Sequence, residues 1–274
     1  MIRDALSRGT ILLLLSLGAA LMLLPFAWMI STSLKAPNEV MLMPPKWIPS
    51  EWHWDNYVRA LTMAPFGRYF LNSVLVTALS TLGELITMIL AAYAFARLSF
   101  WGRDLLFSLL LGTMMVPGEV LLVPNYVTLS RLGWIDRYEA LIIPWTASVF
   151  AIFLLRQHFL SVPKELGYAA RVDGAGDFRF LWTIMVPIVR PALVTIVVLK
   201  AIGSWNAFLW PLIVTNSREM RTLPVGLTAF TTEAGTAYEL LMAASAFVIV
   251  PMIVLYLLLQ RSIVEGLART GIKG

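Results

Sequence analysis

Long stretches without a charged residue constrain this chain more than any other feature of its sequence. Residues 9–34 and residues 240–260 contain no charge at all. A helix needs about 20 consecutive apolar residues to cross the hydrocarbon core of a bilayer, and a charge at its centre costs about 2.5–3.5 kcal/mol. Only 14% of the residues are charged, whereas soluble domains have about 25%. The pattern predicts a membrane protein and argues against a water-soluble globular enzyme.

Counting charges between the apolar blocks predicts six transmembrane helices. Three further blocks contain one internal charge each, which is Glu84, Glu119 or Lys200. The uncharged block at residues 140–155 is short, so its span depends on a snorkelling Arg156 at one end. The fold class is therefore predicted to be all-α, as one polytopic membrane domain over residues 1–274. The predicted spans cover residues 11–34, 69–96, 105–127, 138–159, 191–214 and 240–260.

The distribution of Lys and Arg predicts the orientation of these spans. The first apolar run outlasts the roughly 7–15 residues of a signal-peptide core, so we expect a retained anchor. An even number of spans places both termini on one side, and the cytoplasmic side carries the excess of Lys and Arg. Segments on the terminal side carry twelve such residues and the opposite loops carry eight. The chain is therefore predicted to be multi-pass in the cell (inner) membrane, with both termini cytoplasmic.

Composition argues against several other kinds of site. The net charge is +5, but the charges are scattered between apolar blocks rather than clustered on a soluble face, so no nucleic-acid partner is expected. Membrane lipid is the expected surrounding. The absence of cysteine excludes thiolate zinc sites and iron–sulfur clusters. His53 and His158 lack the spacing of metal ligands, so no metal site is expected.

One predicted cytoplasmic segment, residues 161–190, is too long to be a simple connector. Pro163 favours the first position of a short helix over residues 164–172. The Asp173-Gly174 pair is expected to end this helix, because glycine permits a left-handed exit. A second helix is predicted to begin at Asp177. Two prolines are expected to stop it, Pro187 and Pro191.

The face of this segment is made of small residues, which would let a backbone approach another protein closely. Two interpretations stay open from the pattern alone: a helix that enters a groove of a partner protein, and an amphipathic helix pair lying on lipid headgroups. The small residues are Gly167, Ala169, Ala170, Gly174, Ala175 and Gly176. The aromatic residues expected to anchor the segment are Phe178, Phe180 and Trp182.

Residues 165–175 resemble the EAA loop of ABC-importer permease subunits, whose pattern is roughly E-L-x-E-A-A-x-x-D-G-A followed by Phe and Pro. The likeness continues through Asn72-Ser73, residues 91–97 and Trp205-Asn206. The tail, which ends in Lys273-Gly274, is similar to that of the second permease subunit in carbohydrate-uptake systems of the maltose type. The ordered motifs extend along nearly the whole chain.

The resemblance implies a mechanical role. In that family the EAA loop sits in a cleft of a separate ATPase subunit, and ATP-driven closure rocks the membrane helices. The implied partners are a homologous second permease subunit, two ATP-binding-cassette ATPase subunits and an extracytoplasmic solute-binding protein. ATP and Mg would bind to the ATPase, so no cofactor is expected here, and the sequence contains no G-x-x-x-x-G-K-[ST] phosphate loop. The ATPase-coupling residues implied are Glu165, Tyr168, Ala169, Ala170, Asp173, Gly174 and Ala175. Tyr168 replaces the glutamate that is usual in the family.

Charged and aromatic residues inside the spans are candidates for the substrate pathway. Intramembrane charges should face the bundle interior or water, and a helix broken near Glu119 by Pro117-Gly118 is a common way to build a transport site. Lys200 could reach Glu119 or a substrate hydroxyl, or could pair with another chain. Trp205 and Asn206 could bind a sugar, or could serve helix packing. Glu84 is expected to have a structural role.

The predicted function is the transmembrane permease subunit of a binding-protein-dependent ABC importer for a sugar or related polar solute. A glycerol-phosphodiester or polyol importer is the alternative within this class. An ATP-independent carrier is a rival from another class. A carrier of that kind would need no ATPase, so it would give residues 161–190 no function. An intramembrane enzyme would need converging catalytic groups, which three dispersed charges do not supply.

Overall fold

The computed structural model describes residues 2–232 and 235–271, and these are mainly helical. The terminal Lys273-Gly274 of the resemblance lies outside the described residues. The helices are α1 (Ile2–Ser33), α2 (Pro37–Val40), α3 (Asp55–Met63), α4 (Phe66–Arg97), α5 (Arg103–Thr113), α6 (Leu122–Arg131), α7 (Tyr138–Ile142), α8 (Val149–Ser161), α9 (Lys164–Val172), α10 (Asp177–Phe180), α11 (Val186–Ile188), α12 (Arg190–Trp205), α13 (Leu209–Val214), α14 (Leu223–Gly226) and α15 (Tyr238–Gly271). A two-stranded antiparallel hairpin of β1 (Thr231–Thr232) and β2 (Gly235–Thr236) precedes α15.

Within the described residues, four helical stretches are long and apolar enough to cross a membrane. They are Gly9–Ser33, Phe66–Arg97, Tyr138–Ser161 and Tyr238–Leu258. Two bent pairs raise the number to six if each pair forms one span. These pairs are Arg103–Thr113 with Gly118–Arg131, bent by 89°, and Asp177–Ile188 with Arg190–Trp205, bent by 81°. The all-α class is as predicted, and a count of six spans is consistent with the fold.

The chain divides into two compact units, and the first is formed by residues up to Gly67 together with Gly226–Pro251. In this unit the Trp-rich segment after α1 packs back onto the end of that helix. The rings of Trp28 and Trp47 lie edge to face, 4.9 Å apart, and Lys35 Nζ lies 3.9 Å from the centre of the Trp28 ring. The Asn56 amide donates hydrogen bonds to the Ser33 and Lys35 carbonyls at 3.0 and 2.9 Å, which satisfies carbonyl groups at the helix end.

The second unit, Arg68–Val225 with residues from Met252 onward, contains a large buried apolar cluster. The cluster joins α4, α8, α9 and α12 with the π-helical turn Leu181–Met185. Its most deeply buried members include Met88, Leu155, Phe159 and Met185, all of which are at most 1% exposed. Helix α9 packs against this core through Ala170.

Loops that the sequence places on the outer side meet at one end of the second unit. The Asp136 carboxylate accepts hydrogen bonds from the backbone N–H groups of Asn216 and Ser217 at 2.9 and 3.0 Å. The Asn72 amide donates to the Glu219 carbonyl at 2.7 Å and its oxygen accepts from the Tyr138 hydroxyl at 2.7 Å. These bonds hold the start of α4 against both loops.

Candidate functional site

The segment from α9 to the start of α10, Lys164–Asp177, forms a bent projection that we call the elbow. Its helix α9 has the predicted bounds, and Pro163 lies at the N-cap, one position before the predicted first helical residue. Gly174 has a φ of +75°, the left-handed conformation expected of the residue that ends α9. The next N–H, of Ala175, donates to the Ala170 carbonyl at 2.8 Å. The turn chemistry is therefore as predicted.

Small residues hold α9 close to the core. Ala170 is 4% exposed and belongs to the buried cluster, against which Ala175 also packs. A Cβ atom on Gly167 would lie 3.6 Å from the Phe180 ring, so this glycine allows close contact. The resemblance places Ala170 and Ala175 among the coupling residues. In the structure they pack the elbow against the buried core.

The opposite side of the elbow is exposed. Tyr168 is 62% exposed and Val172 is 88% exposed. The other exposed members of the predicted coupling set are Glu165, Ala169, Asp173 and Gly174. Of the three expected aromatic anchors, Phe180 is buried, whereas Phe178 and Trp182 are exposed.

The second helix begins at Asp177, as predicted, but it continues through Pro187 to Ile188 as helical and π-helical turns. The expectation that Pro187 stops it is wrong, and the break falls at Val189.

Polar contacts join the elbow and the end of α8 to α4. The Arg97 guanidinium donates a hydrogen bond to the Phe159 carbonyl at 2.7 Å and a second one to the Val162 carbonyl. The Tyr93 hydroxyl donates to the Asp177 carboxylate at 3.3 Å. Displacement of the elbow is therefore resisted by α4 as well as by the helices that flank it in sequence.

A cavity of about 630 Å³ lies within the second unit, between α4, the α7–α8 junction, α12 and α13. Its walls are mainly apolar and aromatic. Glu84 and Lys200 are the only charged side chains among the described residues that line it. The aromatic lining residues are Trp145, Phe150, Phe208 and Trp210.

Lys200 pairs with Glu84 inside this chain. Its Nζ lies 2.8 Å from a Glu84 carboxylate oxygen, and the two side chains are 15% and 6% exposed. The same Nζ donates to the Trp145 carbonyl at 2.7 Å. The suggested pairings of Lys200 with Glu119 or with another chain are therefore not what the structure shows. α12 packs against α4, which places Lys200 beside Glu84.

The Trp145 carbonyl is available because the fourth predicted span is interrupted. A 3₁₀ turn, Ile143–Trp145, follows α7, and α8 starts only at Val149. Carbonyl groups freed by such a break need other partners inside a membrane, and here the Thr87 hydroxyl donates to the Thr146 carbonyl at 2.5 Å. Sequence reasoning missed this junction. Pro144, in the middle of an uncharged stretch, was the signal that could have revealed it.

Three of the four predicted pathway residues lie away from the cavity lining. Trp205 is 4% exposed and its ring meets that of Phe70 edge to face at 6.0 Å, as helix packing predicts. Asn206 caps the end of α12 and is exposed. Glu119 is exposed in the 3₁₀ turn between α5 and α6, so the predicted helix break is present. Within the part of the chain described, none of these three side chains lines the cavity.

This arrangement of interrupted, apolar helices, with a bent projection supported on its core, is that of a membrane transport permease. Residues 85–268 match the family described as binding-protein-dependent transport system inner membrane component, and the chain belongs to that family. It is a permease subunit of a binding-protein-dependent ABC importer in the inner membrane, and thus a transporter component rather than an enzyme in its own right.

Relatives named for different cargoes are similar to this chain over most of its length. The arabinooligosaccharides transport system permease protein AraQ of Halalkalibacterium halodurans is 37% identical over 82% of this chain and 81% of its own length. The sn-glycerol-3-phosphate transport system permease protein UgpE of Yersinia pestis is 34% identical, over 93% and 94% respectively. A bacterial ABC transporter that imports the acidic polysaccharide alginate contains a chain with a TM-score of 0.82 and 25% identity, covering 94% of this chain and 96% of its own.

Proposed function

We propose that this permease subunit couples the import of a saccharide or related polar solute to ATP hydrolysis by separate ATPase subunits. In this proposal the elbow is the contact through which the ATPase acts. The observation that carries it is the division of α9 into two sides. Ala170 and Gly167 seat the helix on the core, and the side with Tyr168 and Ala169 is exposed.

The contacts behind the elbow support a mechanical role. A force applied to α9 reaches α4 through the Asp177–Tyr93 hydrogen bond and the Arg97 contacts. It reaches α12 through the shared apolar core. Because packed cores move as units between discrete arrangements, closure of the ATPase pair would rotate these helices together and alternate access to the pathway.

The remaining partners follow from the same proposal. ATP and Mg would bind to the two ATPase subunits, a homologous second permease would complete the pathway, and a solute-binding protein would deliver the cargo. A structure related at the level of fold was obtained with a pentasaccharide-bound periplasmic protein, with a TM-score of 0.66 and 18% identity. The similarity to UgpE favours glycerol phosphate as a second candidate cargo.

Both termini and the elbow are proposed to be cytoplasmic. In support, the loops predicted to be external are bonded to one another through Asp136 and Asn72. The chain has no cysteine, so a single Asp173→Cys substitution gives a clean label. A membrane-impermeant maleimide should modify this cysteine only after the cells are permeabilised. Labelling in intact cells would contradict the orientation and the coupling role together.

Copurification tests the function against its rivals. A tagged chain should retain a protein that contains the phosphate-loop motif, and ATP should drive uptake in the reconstituted complex. Ala169→Trp combined with Gly174→Leu should leave insertion intact but abolish ATPase retention and uptake, since the elbow would lose its small face and its left-handed turn. Ala169→Ser is the matched control and should behave as wild type. Normal uptake by the double variant would refute the coupling role, and uptake without any ATPase would support the carrier.

A further inference from the structure

The helix that follows the elbow lies almost at right angles to the span after it. This helix, Asp177–Ile188, is called the arm, and its axis is bent by 81° from that of Arg190–Trp205. The arm is not needed to cross the membrane, because α12 and α13 together cover the predicted fifth span, residues 191–214. Transmembrane helices are tilted by about 20° on average from the bilayer normal. The arm therefore lies close to the plane of the membrane.

Two sides of the arm have opposite character. The buried side consists of Phe180, Leu181 and Met185, which belong to the apolar cluster of the second unit. Arg179 and Thr183 are exposed and form a polar side, on which the Thr183 hydroxyl donates to the Arg179 carbonyl at 2.7 Å. The arm is therefore seated on the helix bundle by one side and turns a polar side away from it.

An aromatic pair occupies the flank between these two sides. Phe178 and Trp182 are 71% and 40% exposed, and their rings meet edge to face at 6.1 Å. With about 3.6 residues per turn, positions 178 and 182 fall between the buried side and the polar side. A helix that lies in the membrane plane and packs one side on the bundle presents such a flank sideways, to the surrounding lipid. Trp and Phe are residues that interfacial helices place at the boundary between headgroups and acyl chains.

The charges of the arm favour an anionic lipid surface. Arg179 and Arg190 are exposed, and neither forms an ion pair within the part of the chain that the structure describes. Asp177, the acidic residue of the arm, lies 3.7 Å from Arg171 and accepts a hydrogen bond from the Tyr93 hydroxyl. The cytoplasmic leaflet contains anionic lipids, which attract Lys and Arg close to its surface.

We propose that the arm is an interfacial helix that binds anionic phospholipid of the cytoplasmic leaflet. In this proposal Phe178 and Trp182 insert at the headgroup boundary, and Arg179 faces lipid phosphate. The proposal rests on the proposed cytoplasmic orientation of the elbow and adds a lipid partner to it. The two partners that the sequence left open, a protein groove and a lipid surface, then belong to different helices: α9 contacts the ATPase and the arm contacts lipid. Lipid contact would hold the elbow at a fixed depth beneath the bundle.

The first experiment measures what surrounds the aromatic flank. The chain has no cysteine, so Phe178→Cys gives one nitroxide label in a complex assembled with cysteine-free partner subunits. The complex is reconstituted in vesicles of equal parts phosphatidylcholine and phosphatidylglycerol. Electron paramagnetic resonance then compares collisions of the label with oxygen, which concentrates in the bilayer, and with a nickel chelate, which stays in water. The ratio of oxygen to nickel collisions should be severalfold higher for Phe178→Cys than for Thr183→Cys, the matched control on the polar side.

The second experiment measures which lipid lies beside the flank. A benzophenone maleimide attached to Phe178→Cys is irradiated in the same vesicles, and the crosslinked lipids are identified by mass spectrometry. Phosphatidylglycerol should exceed phosphatidylcholine about fivefold among the products, because one arginine lies close to the surface. Arg179→Gln should bring the product ratio close to that of the bilayer. Lys164→Gln removes an exposed cation outside the arm and should leave the ratio unchanged.

Three results would overturn the inference. Frequent nickel collisions at position 178 would place the flank in water, and exclusion of both reagents would show that a protein such as the ATPase covers it. Equal yields of the two lipids would refute the preference for anionic lipid. If the complex still retained the ATPase in any of these cases, the proposed function would stand and only the lipid contact would fall. A chain that retains no ATPase would instead refute the proposed function, whatever surrounds the arm.

Discussion

Gly83 on α4 lies directly against Thr146 in the junction between α7 and α8. A Cβ atom at position 83 would lie 2.6 Å from Thr146 Cγ2 and 2.9 Å from its Cβ, which is closer than side chains can approach. The next residue on α4 is Glu84, which holds Lys200. The close approach at Gly83 therefore brings α4 to the interrupted span at the point where the buried ion pair is formed.

The contact between Gly83 and Thr146 predicts a rescue experiment. Gly83→Ala should destabilise the protein by about 1–3 kcal/mol, because the added methyl group overpacks the contact. Thr146→Ser keeps the hydroxyl and removes Cγ2 but leaves the Cβ contact at 2.9 Å, so the double variant should recover only part of the lost stability. The measurement is thermal unfolding in detergent.

Gly112→Ala is the control for that experiment, since a Cβ atom there meets nothing within 4 Å. If Gly112→Ala lowered the stability as much as Gly83→Ala, or if the double variant recovered no stability, the close contact between Gly83 and Thr146 would not constrain the fold.

Arg97 predicts a separation of ATP hydrolysis from uptake. Arg97→Ala removes the hydrogen bonds to the Phe159 and Val162 carbonyls, so α4 would follow the end of α8, which leads into the elbow, less tightly. Hydrogen bonds from a charged group contribute about 1.5–3 kcal/mol each. The ratio of solute imported to ATP hydrolysed by the reconstituted complex should fall severalfold while the complex still assembles. An unchanged ratio in an assembled complex would mean that motion reaches the pathway without this contact.

Asp136 predicts a pH dependence. Burial alone would raise the pKa of Asp136, but hydrogen bonds from Ser217 and Asn216 outweigh it and hold the pKa below its usual value. A carboxylate with a lowered folded-state pKa stabilises the protein above its unfolded pKa, about 3.9, and this stabilisation is lost as pH falls through the folded-state pKa. Asparagine tolerates the positive φ of 62° at this position, so the Asp136→Asn substitution does not strain the backbone. Asp136→Asn should therefore lower the free energy of unfolding by about 1 kcal/mol at pH 7, because the amide accepts weaker hydrogen bonds than the carboxylate.

The difference in melting temperature between wild type and Asp136→Asn should shrink as the pH is lowered below about 4. A difference that stays constant over this range would show that the charge of Asp136 is not what stabilises the loops. Glu51→Gln, at a side chain that is 84% exposed, serves as a control for general effects of removing a carboxylate.

The sequence predicted those features that depend on neighbours in the chain. The bounds of α9 and the left-handed Gly174 follow from Pro163, Asp173 and Gly174 themselves. The break before Glu119 likewise follows from an adjacent Pro-Gly pair. Local backbone chemistry decides such features, and no knowledge of the packing is needed.

Features that depend on helix packing could not be predicted in the same way. Hydropathy locates Glu84 and Lys200 within spans, but it does not tell which helix faces which, so their pairing was missed. The same limit applies to Trp205, for which the sequence allows a sugar site or helix packing, and which packs against Phe70 in the structure. An unpartnered hydroxyl such as that of Thr222 is visible only once all neighbours are placed.

Crosslinking from the exposed side of α9 tests the coupling role of the elbow most directly. In this cysteine-free chain, Ala169→Cys is labelled with a benzophenone maleimide in inverted membrane vesicles and irradiated. The account predicts a crosslinked product, identified by mass spectrometry as a protein with the phosphate-loop motif. Ala170→Cys, one position further and buried, should give almost none. Equal crosslinking from the two positions, or an Ala169→Cys product that contains only lipid, would contradict the account.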